Sequence, residues 1–343
     1  MAAPFAPRTI FPTLTSLPRS YFLGHHRAGL GKMKTMLSSI DLVIECRDYR
    51  VPLTSRNPLF EESLAGRHRL IVYTKRDLGS EGAKADRRRE EIIRRWHRPS
   101  AVLFSDHHDR RDVKKILDYA KDYASSLCSL TAARMLVVGM PNVGKSSLLN
   151  ALRHVGVSKG KAAQTGAQPG ITRKIASGVR IVEGDEDGEG VYLVDTPGVF
   201  VPYVPDAEAM LRLALCGSVK DTIVPPTTLA DYLLYRLNLH SPASYALYHP
   251  PTNDIMTLLD AIARQTGRLQ KGAVPDIEGT ALWLIQRWRG GHLGRFVLDT
   301  VADDAYERKV QEDQDLGGSM NQARKAEREG RREKIRMKRR EAG

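Results

Sequence analysis

The segment Gly139-Met140-Pro141-Asn142-Val143-Gly144-Lys145-Ser146 decides the fold of this chain. An apolar, strand-length stretch (134–138) precedes it and a helical pattern (145–153) follows, so the glycines fall at a strand-to-helix turn. Glycine lets the backbone curl until successive N–H groups point at one anion. The N–H groups of Asn142, Val143, Gly144, Lys145, Ser146 and Ser147 are the expected phosphate cradle. The following helix adds the positive end of its dipole. Lys145 is placed to reach β- and γ-phosphates, and Ser146 to ligate Mg²⁺.

Downstream, Asp195-Thr196-Pro197-Gly198 follows a second apolar segment (191–194). A carboxylate at that strand end can hold Mg²⁺ through a water. The Gly198 amide can meet a γ-phosphate and so register its presence. Between the two motifs, in Pro169-Gly170-Ile171-Thr172-Arg173, Thr172 is the candidate hydroxyl that joins Mg²⁺ only in the triphosphate state.

Upstream lies Thr74-Lys75-Arg76-Asp77, again after an apolar segment (70–73). Guanine offers an N1–H and an N2 amino group to a single carboxylate, whereas adenine would leave that carboxylate unpaired. Asp77 is the candidate base reader, and the Lys75 stem is placed to cover the base. Thr74 stands where asparagine is usual in N-K-x-D, which puts one loop-tethering hydrogen bond in question. Taken alone, TKRD is equally an ordinary charged loop. Ser105, after segment 101–104, is placed to present its backbone N–H to the guanine carbonyl.

Guanine-nucleotide motifs normally run from phosphate loop to base reader. Here the base reader comes first, and DTPG leads directly into the rest of the chain. A parallel sheet tolerates such a circular permutation when the original termini lay close together. Strand-like segments (41–46, 70–73, 101–104, 134–138, 179–182 and 191–194) alternate with helical patterns at 84–96, 113–126 and 145–153. That rhythm predicts an α/β, doubly wound parallel sheet. Residues 183–190, EGDEDGEG, read as an exposed hairpin tip. Beyond Asp206 the patterns at 207–218, 228–237, 254–267 and 280–289 are helical and predict a small all-α domain.

The 343 residues carry a net charge of +13, and its placement matters. Residues 1–40 hold five basic and no acidic side chains, and residues 319–343 hold ten basic and four acidic. Residues 1–19 have the composition of a mitochondrial import segment, although Pro4, Pro7, Pro12 and Pro18 interrupt any amphipathic helix. The basic tail suits a polyanion such as RNA, or anionic lipid on the matrix face of the inner membrane. No apolar run approaches the ~20 residues of a membrane-spanning helix. Cys46, Cys128 and Cys216 lack metal or disulfide spacing and read as buried apolar residues in a reducing compartment. The expected boundaries are 1–19 (import), 20–203 (GTP-binding domain), 204–300 (helical domain) and 301–343 (charged tail).

Several blocks in order resemble the YlqF/YawG family of circularly permuted P-loop GTPases. Asp41-Leu42-Val43-Ile44-Glu45, Asp48-Tyr49-Arg50-Val51-Pro52 and Ser55-Arg56-Asn57-Pro58 resemble its DxVxExxDARxP and SRNP signatures, with Tyr49 replacing Ala. Gly24-His25, Leu213 to Asp221, and Gly291-His292-Leu293-Gly294-Arg295 with Leu298-Asp299 resemble three more. The acid-free N-terminus points to the family's mitochondrial branch. The resemblance implies a GTP hydrolase in the mitochondrial matrix that assists assembly of the large ribosomal subunit, contacting rRNA and ribosomal proteins. It implies slow intrinsic turnover, because Val199 stands where Ras-like proteins carry a water-orienting glutamine. It also implies K⁺ at Asn142 and a role for His25 in hydrolysis. A second reading is a GTP-binding rRNA scaffold with little or no turnover.

Overall fold

The computed structural model describes residues 5–12, 14, 24–127, 131–163, 178–184, 190–199, 204 and 206–315. Residues 1–301 form one compact unit and residues 302–343 another. In the first unit, helix α1 (Gly24–Met36) leads into β1 (Leu42–Asp48), α2 (Pro58–Ser63) and β2 (Arg69–Thr74). These are followed by α3 (Ala83–Trp96), β3 (Ala101–Ser105), α4 (Arg110–Ser126), β4 (Ala133–Gly139) and α5 (Lys145–Val157). The sheet is completed by β5 (Val179–Val182) and β6 (Val191–Asp195). Then come α6 (Ala207–Leu215), α7 (Pro226–His240), α8 (Ile255–Thr266), β7 (Leu269–Gln270), β8 (Val274–Pro275) and α9 (Ile277–Arg289).

The main sheet has the order β3-β2-β1-β4-β6-β5, with the phosphate-loop strand β4 near its centre. Neighbouring strands are parallel except β5, which pairs antiparallel with β6 across the short connection 183–190. The sheet is therefore mixed at one edge, because so short a connection permits only a hairpin.

Alternate residues explain why the central strands read as continuous apolar runs. Leu42, Ile44 and Cys46 of β1, with Met135 and Val137 of β4, pack with α4 and α5 residues such as Ile116 and Leu148. Val43, Leu136 and Val138 point the other way, into a cluster with Met33, Leu37, Phe60 and Leu64. Ile71, Tyr73, Val102 and Phe104 bury against Ile93 of α3 and Tyr49. Tyr49 meets Phe104 edge-on with centroids 5.7 Å apart. The family's alanine would leave that volume empty.

The helical segment shares its core with the sheet. Buried residues of α6, α7, α8 and α9 continue the cluster that begins on β1 and β4. The segment expected to be all-α also contains the two-residue strands β7 and β8, paired antiparallel around a tight turn at Gly272 and Ala273. Two-residue strands are too short to leave a periodicity in sequence.

Residues 5–12, read from composition as part of an import segment, lie against α7. Arg8 forms a two-pronged ion pair with Asp231 at 2.6 and 3.1 Å. Tyr235 donates to the Thr9 carbonyl, and Phe11 meets Tyr232 edge-on. Residues 1–4, 13 and 15–23 and the basic stretch 316–343 lie outside the described residues. In the second unit, residues 305–315 are helical.

His97, just past α3, is buried and hydrogen-bonds the Tyr73 hydroxyl at 2.8 Å. Burial, helped by Arg47 and Arg69, depresses its pKa from 6.5 to about 2. Below pH 6.5 the unfolded chain takes up a proton that the folded chain refuses, so stability is lost as pH falls. This group's contribution approaches about 1.4 kcal/mol per pH unit. Urea unfolding at pH 7, 6 and 5 is expected to show that slope, and His97→Gln to flatten it. An unchanged slope in the variant would contradict the assignment.

Candidate functional site

Strands β1, β2, β3, β4 and β6 end at Asp48, Thr74, Ser105, Gly139 and Asp195, respectively. All are parallel, so these ends share one edge of the sheet, where ligands bind in open α/β folds. The crossover from β3 on one side of β1 to β4 on the other leaves a crevice at that edge.

The phosphate loop needs its glycines. A side chain at Gly139, with φ of 149°, would meet the Cys46 carbonyl at 2.4 Å. Gly144 has φ of 94° and caps α5. Lys145 is buried and donates to the Met140 carbonyl at 2.7 Å across the loop. Burial lowers its pKa, opposed by Asp195 and Cys46. A desolvated ammonium in a ring of amides favours an incoming anion.

Ser146 donates to Asp195 Oδ2 at 2.7 Å. The other oxygen, Asp195 Oδ1, is buried with no hydrogen-bond partner among the described residues. Burial raises this carboxyl's pKa, opposed by Lys145 and Ser146. A hydroxyl beside an under-satisfied carboxylate suits a hydrated Mg²⁺, which keeps most of its waters and takes few protein ligands. Thr196 ties the next residue down by donating to Val137 O at 2.6 Å.

Gly198 touches the phosphate loop directly. An added Cβ would sit 2.6 Å from Pro141 N and Cα and 3.1 Å from Lys145 Nζ. Gly198→Ala must therefore push DTPG off the loop. It is expected to cut GTP turnover by about 10²-fold or more, with GDP affinity nearly unchanged. Comparing turnover with GDP titration checks this, and wild-type turnover would refute it.

Val199 is buried among Met33, Leu37, Phe60 and Val138. Its N–H donates to Gly139 O at 3.2 Å, and its carbonyl accepts from Asn57 Nδ2 at 2.9 Å. The asparagine of SRNP thus fastens DTPG to the β1 side of the sheet. Elsewhere in these blocks, buried Arg47 pairs with Glu45 and Glu61 at 2.7 and 2.8 Å.

The base-reading loop meets the phosphate loop. The Thr74 hydroxyl donates to Val143 O. The tether usually made by asparagine is here made by a threonine. Lys75, in the left-handed region with φ of 56°, donates to the Asn142 carbonyl and to Asp48 at 3.0 Å. Asp77 lies half-buried in the turn after β2. Burial raises its pKa, as does the neighbouring Asp106 carboxylate. Ser105 pairs with Thr74 in register, and its buried hydroxyl lacks a partner among the described residues.

Asn142 has φ of 57°, and its side chain faces Gly217, where a Cβ would come within 2.7 Å of Nδ2. Gly217 follows α6, whose end is held by Arg289 donating to the Ala214 and Leu215 carbonyls at 2.7 and 2.9 Å. Arg289 also pairs with Asp221 at 2.7 Å. Asp299 gathers the Leu53 and Thr54 amides and Arg212. The helical segment is thus keyed to the site at Gly217, a contact with no signal in sequence beyond the glycine itself.

Thr172 lies outside the described residues, as does the His25 side chain. No cluster of three or more His, Cys, Asp or Glu suited to a metal occurs among the described residues. Cys46 and Cys216 are buried, and burial pushes both thiols up to about 12. Among the described residues, no helix is long and apolar enough to cross a membrane.

Residues 134–228 match a family model described as "50S ribosome-binding GTPase". Mitochondrial GTPase 1 of Schizosaccharomyces pombe is 37% identical over 302 residues, covering 83% of this chain and 90% of its own. Mitochondrial ribosome-associated GTPase 1 of Mus musculus is 36% identical over 85% of this chain and 93% of its own. GNP-bound YlqF from T. maritima superposes with a TM-score of 0.51 at 23% identity, covering 80% of this chain and 98% of that one, and shares the fold. Sheet edge, phosphate loop and relatives together define a P-loop GTP hydrolase with circularly permuted motifs. The chain belongs to the mitochondrial GTPase 1 family, whose mouse member is called mitochondrial ribosome-associated GTPase 1.

Proposed function

We propose that the protein binds GTP and GDP at this edge and acts as an assembly factor or checkpoint for the mitochondrial large ribosomal subunit, in the matrix. The observation that carries the nucleotide half is the contact of the base-reading and phosphate loops through Thr74–Val143 and Lys75–Asn142. One nucleotide then suffices to touch both. Asp77 reads guanine, Ser105 contacts its carbonyl through N–H, and Lys145 with residues 142–147 holds the phosphates. Ser146, and Asp195 through water, would hold Mg²⁺, which supplies positive charge beside the β- and γ-phosphates. Thr172 completes that set, and Gly198 registers the γ-phosphate. The ribosomal half rests on the relatives' names and on the basic tail, whose charge fits rRNA phosphate and also anionic inner-membrane lipid.

Val199, buried and with both backbone polar groups engaged, offers no side chain to orient water. Hydrolysis then needs a group from outside the described site: the ribosomal particle, K⁺ at Asn142, or His25. The same observation favours the scaffold reading if no such group exists. GTP turnover measured with and without mitochondrial large subunits, in K⁺ and in Na⁺, separates the two. Stimulation by the particle supports the assembly role. Co-sedimentation without turnover under any condition replaces it with the scaffold.

A further inference from the structure

Asp48, the last residue of β1, has no role in nucleotide contact assigned above, yet it joins three parts of the site. It is buried, and its Oδ2 accepts from Lys75 Nζ at 3.0 Å and from Arg50 Nη2 at 2.8 Å. Its Oδ1 accepts from Arg50 Nε and from the Arg50 backbone N–H, both at 3.0 Å. Lys75 in turn donates to the Asn142 carbonyl of the phosphate loop. Arg50 reaches the Cys216 carbonyl at 3.4 Å, and its guanidinium lies 5.1 Å from the centroid of the Trp288 ring on α9. The Arg50 carbonyl is also fixed, accepting from the Leu298 N–H at 2.7 Å.

We propose that Asp48 is a positioning residue for guanine-nucleotide binding: held by the helical segment through Arg50, it pins Lys75 against the phosphate loop so that the lysine stem covers the base. A lysine carries four rotatable bonds, and ordering it at the moment of binding costs entropy. An ion pair that orders it beforehand removes that cost. Burial alone would lower the charge on Lys75, and the Asp48 carboxylate opposes this. Lys75 has a left-handed backbone, and its ammonium is held between the Asp48 carboxylate and the Asn142 carbonyl.

The inference rests on the nucleotide site proposed above, and the test separates the two. The probe is GDP labelled with a fluorophore on its ribose, competed by unlabelled GDP and ADP. A wild-type protein without preference for GDP over ADP would defeat the site itself. Given that preference, Asp48→Asn is expected to raise the Kd for GDP about tenfold and leave the turnover number at saturating GTP nearly unchanged. In a Lys75→Met background the same change is expected to add less than about twofold, because its effect runs through that lysine. Asp48→Asn leaves two buried cations on one neutral partner and can fail to fold. The paired change Asp48→Asn with Arg50→Gln keeps the charge balanced, and its thermal midpoint shows that it is folded. It too is expected to weaken GDP binding about tenfold. Wild-type affinity in the folded pair, or effects that multiply with Lys75→Met, would overturn the proposal and leave Asp48 a structural residue only.

Discussion

Replacing Lys145 with alanine is expected to lower GTP turnover by at least about 10³-fold, with a large loss of GDP affinity. The ammonium is buried beneath the loop, where it donates to a neutral carbonyl, Met140 O, at 2.7 Å. Burial already disfavours its charge, and a phosphate entering the ring would relieve that penalty. The energy is thus stored for the ligand. Removing the side chain leaves the Met140 carbonyl short of a donor, which costs the fold only about 1–3 kcal/mol. Far-ultraviolet circular dichroism should report a folded variant, and single-turnover assays should report the loss. Turnover within tenfold of wild type would mean that the nucleotide lies elsewhere.

Asp77→Asn is the second large effect. A carboxylate accepts from both guanine N1–H and the N2 amino group, whereas a carboxamide must turn one donor toward one of them. Two charge-assisted hydrogen bonds are weakened or lost, each worth roughly 1.5–3 kcal/mol, so GDP affinity should fall about 10²- to 10⁴-fold. Xanthine carries a carbonyl in place of the amino group, so the variant should gain affinity for XDP. Displacement assays with GDP, XDP and ADP test both directions. Unchanged GDP-over-ADP selectivity would remove Asp77 from the base site. Because burial and Asp106 raise this carboxyl's pKa, GDP affinity should also weaken on acidification before that of an ordinary exposed aspartate would.

The tether at Thr74 shows how far residue identity can mislead. In sequence, threonine for asparagine looks like a lost hydrogen bond. In the fold, the hydroxyl sits at the end of β2 directly beside Gly144, 3.6 Å from where that residue's Cβ would be, and needs no longer arm to reach Val143. Asp48, Arg50 and Asn57 could be quoted as parts of signatures but not assigned work. Their partners, Lys75, Cys216 and Val199, are far along the chain, and no local pattern encodes such pairings. The N-terminal residues were ambiguous for a different reason. Arg, Thr and Phe at 8–11 have the composition of an import segment, and in the fold Arg8 pairs with Asp231, the Thr9 carbonyl accepts from Tyr235, and Phe11 packs on Tyr232.

What the sequence determined by itself was the set of parts: strands from apolar runs, a phosphate loop from glycine spacing, and motif order from position along the chain. These are local properties, fixed by backbone sterics, side-chain period and the anion-binding geometry of a strand-to-helix turn. Only the tertiary structure decided which strand ends lie side by side, that β7 and β8 pair within the helical segment, and that Gly217 of that segment rests against the phosphate loop. Those depend on the burial of both sheet faces at once and on buried charges finding partners a hundred or more residues away. Such choices are made by the whole core and are written in no single stretch of the chain.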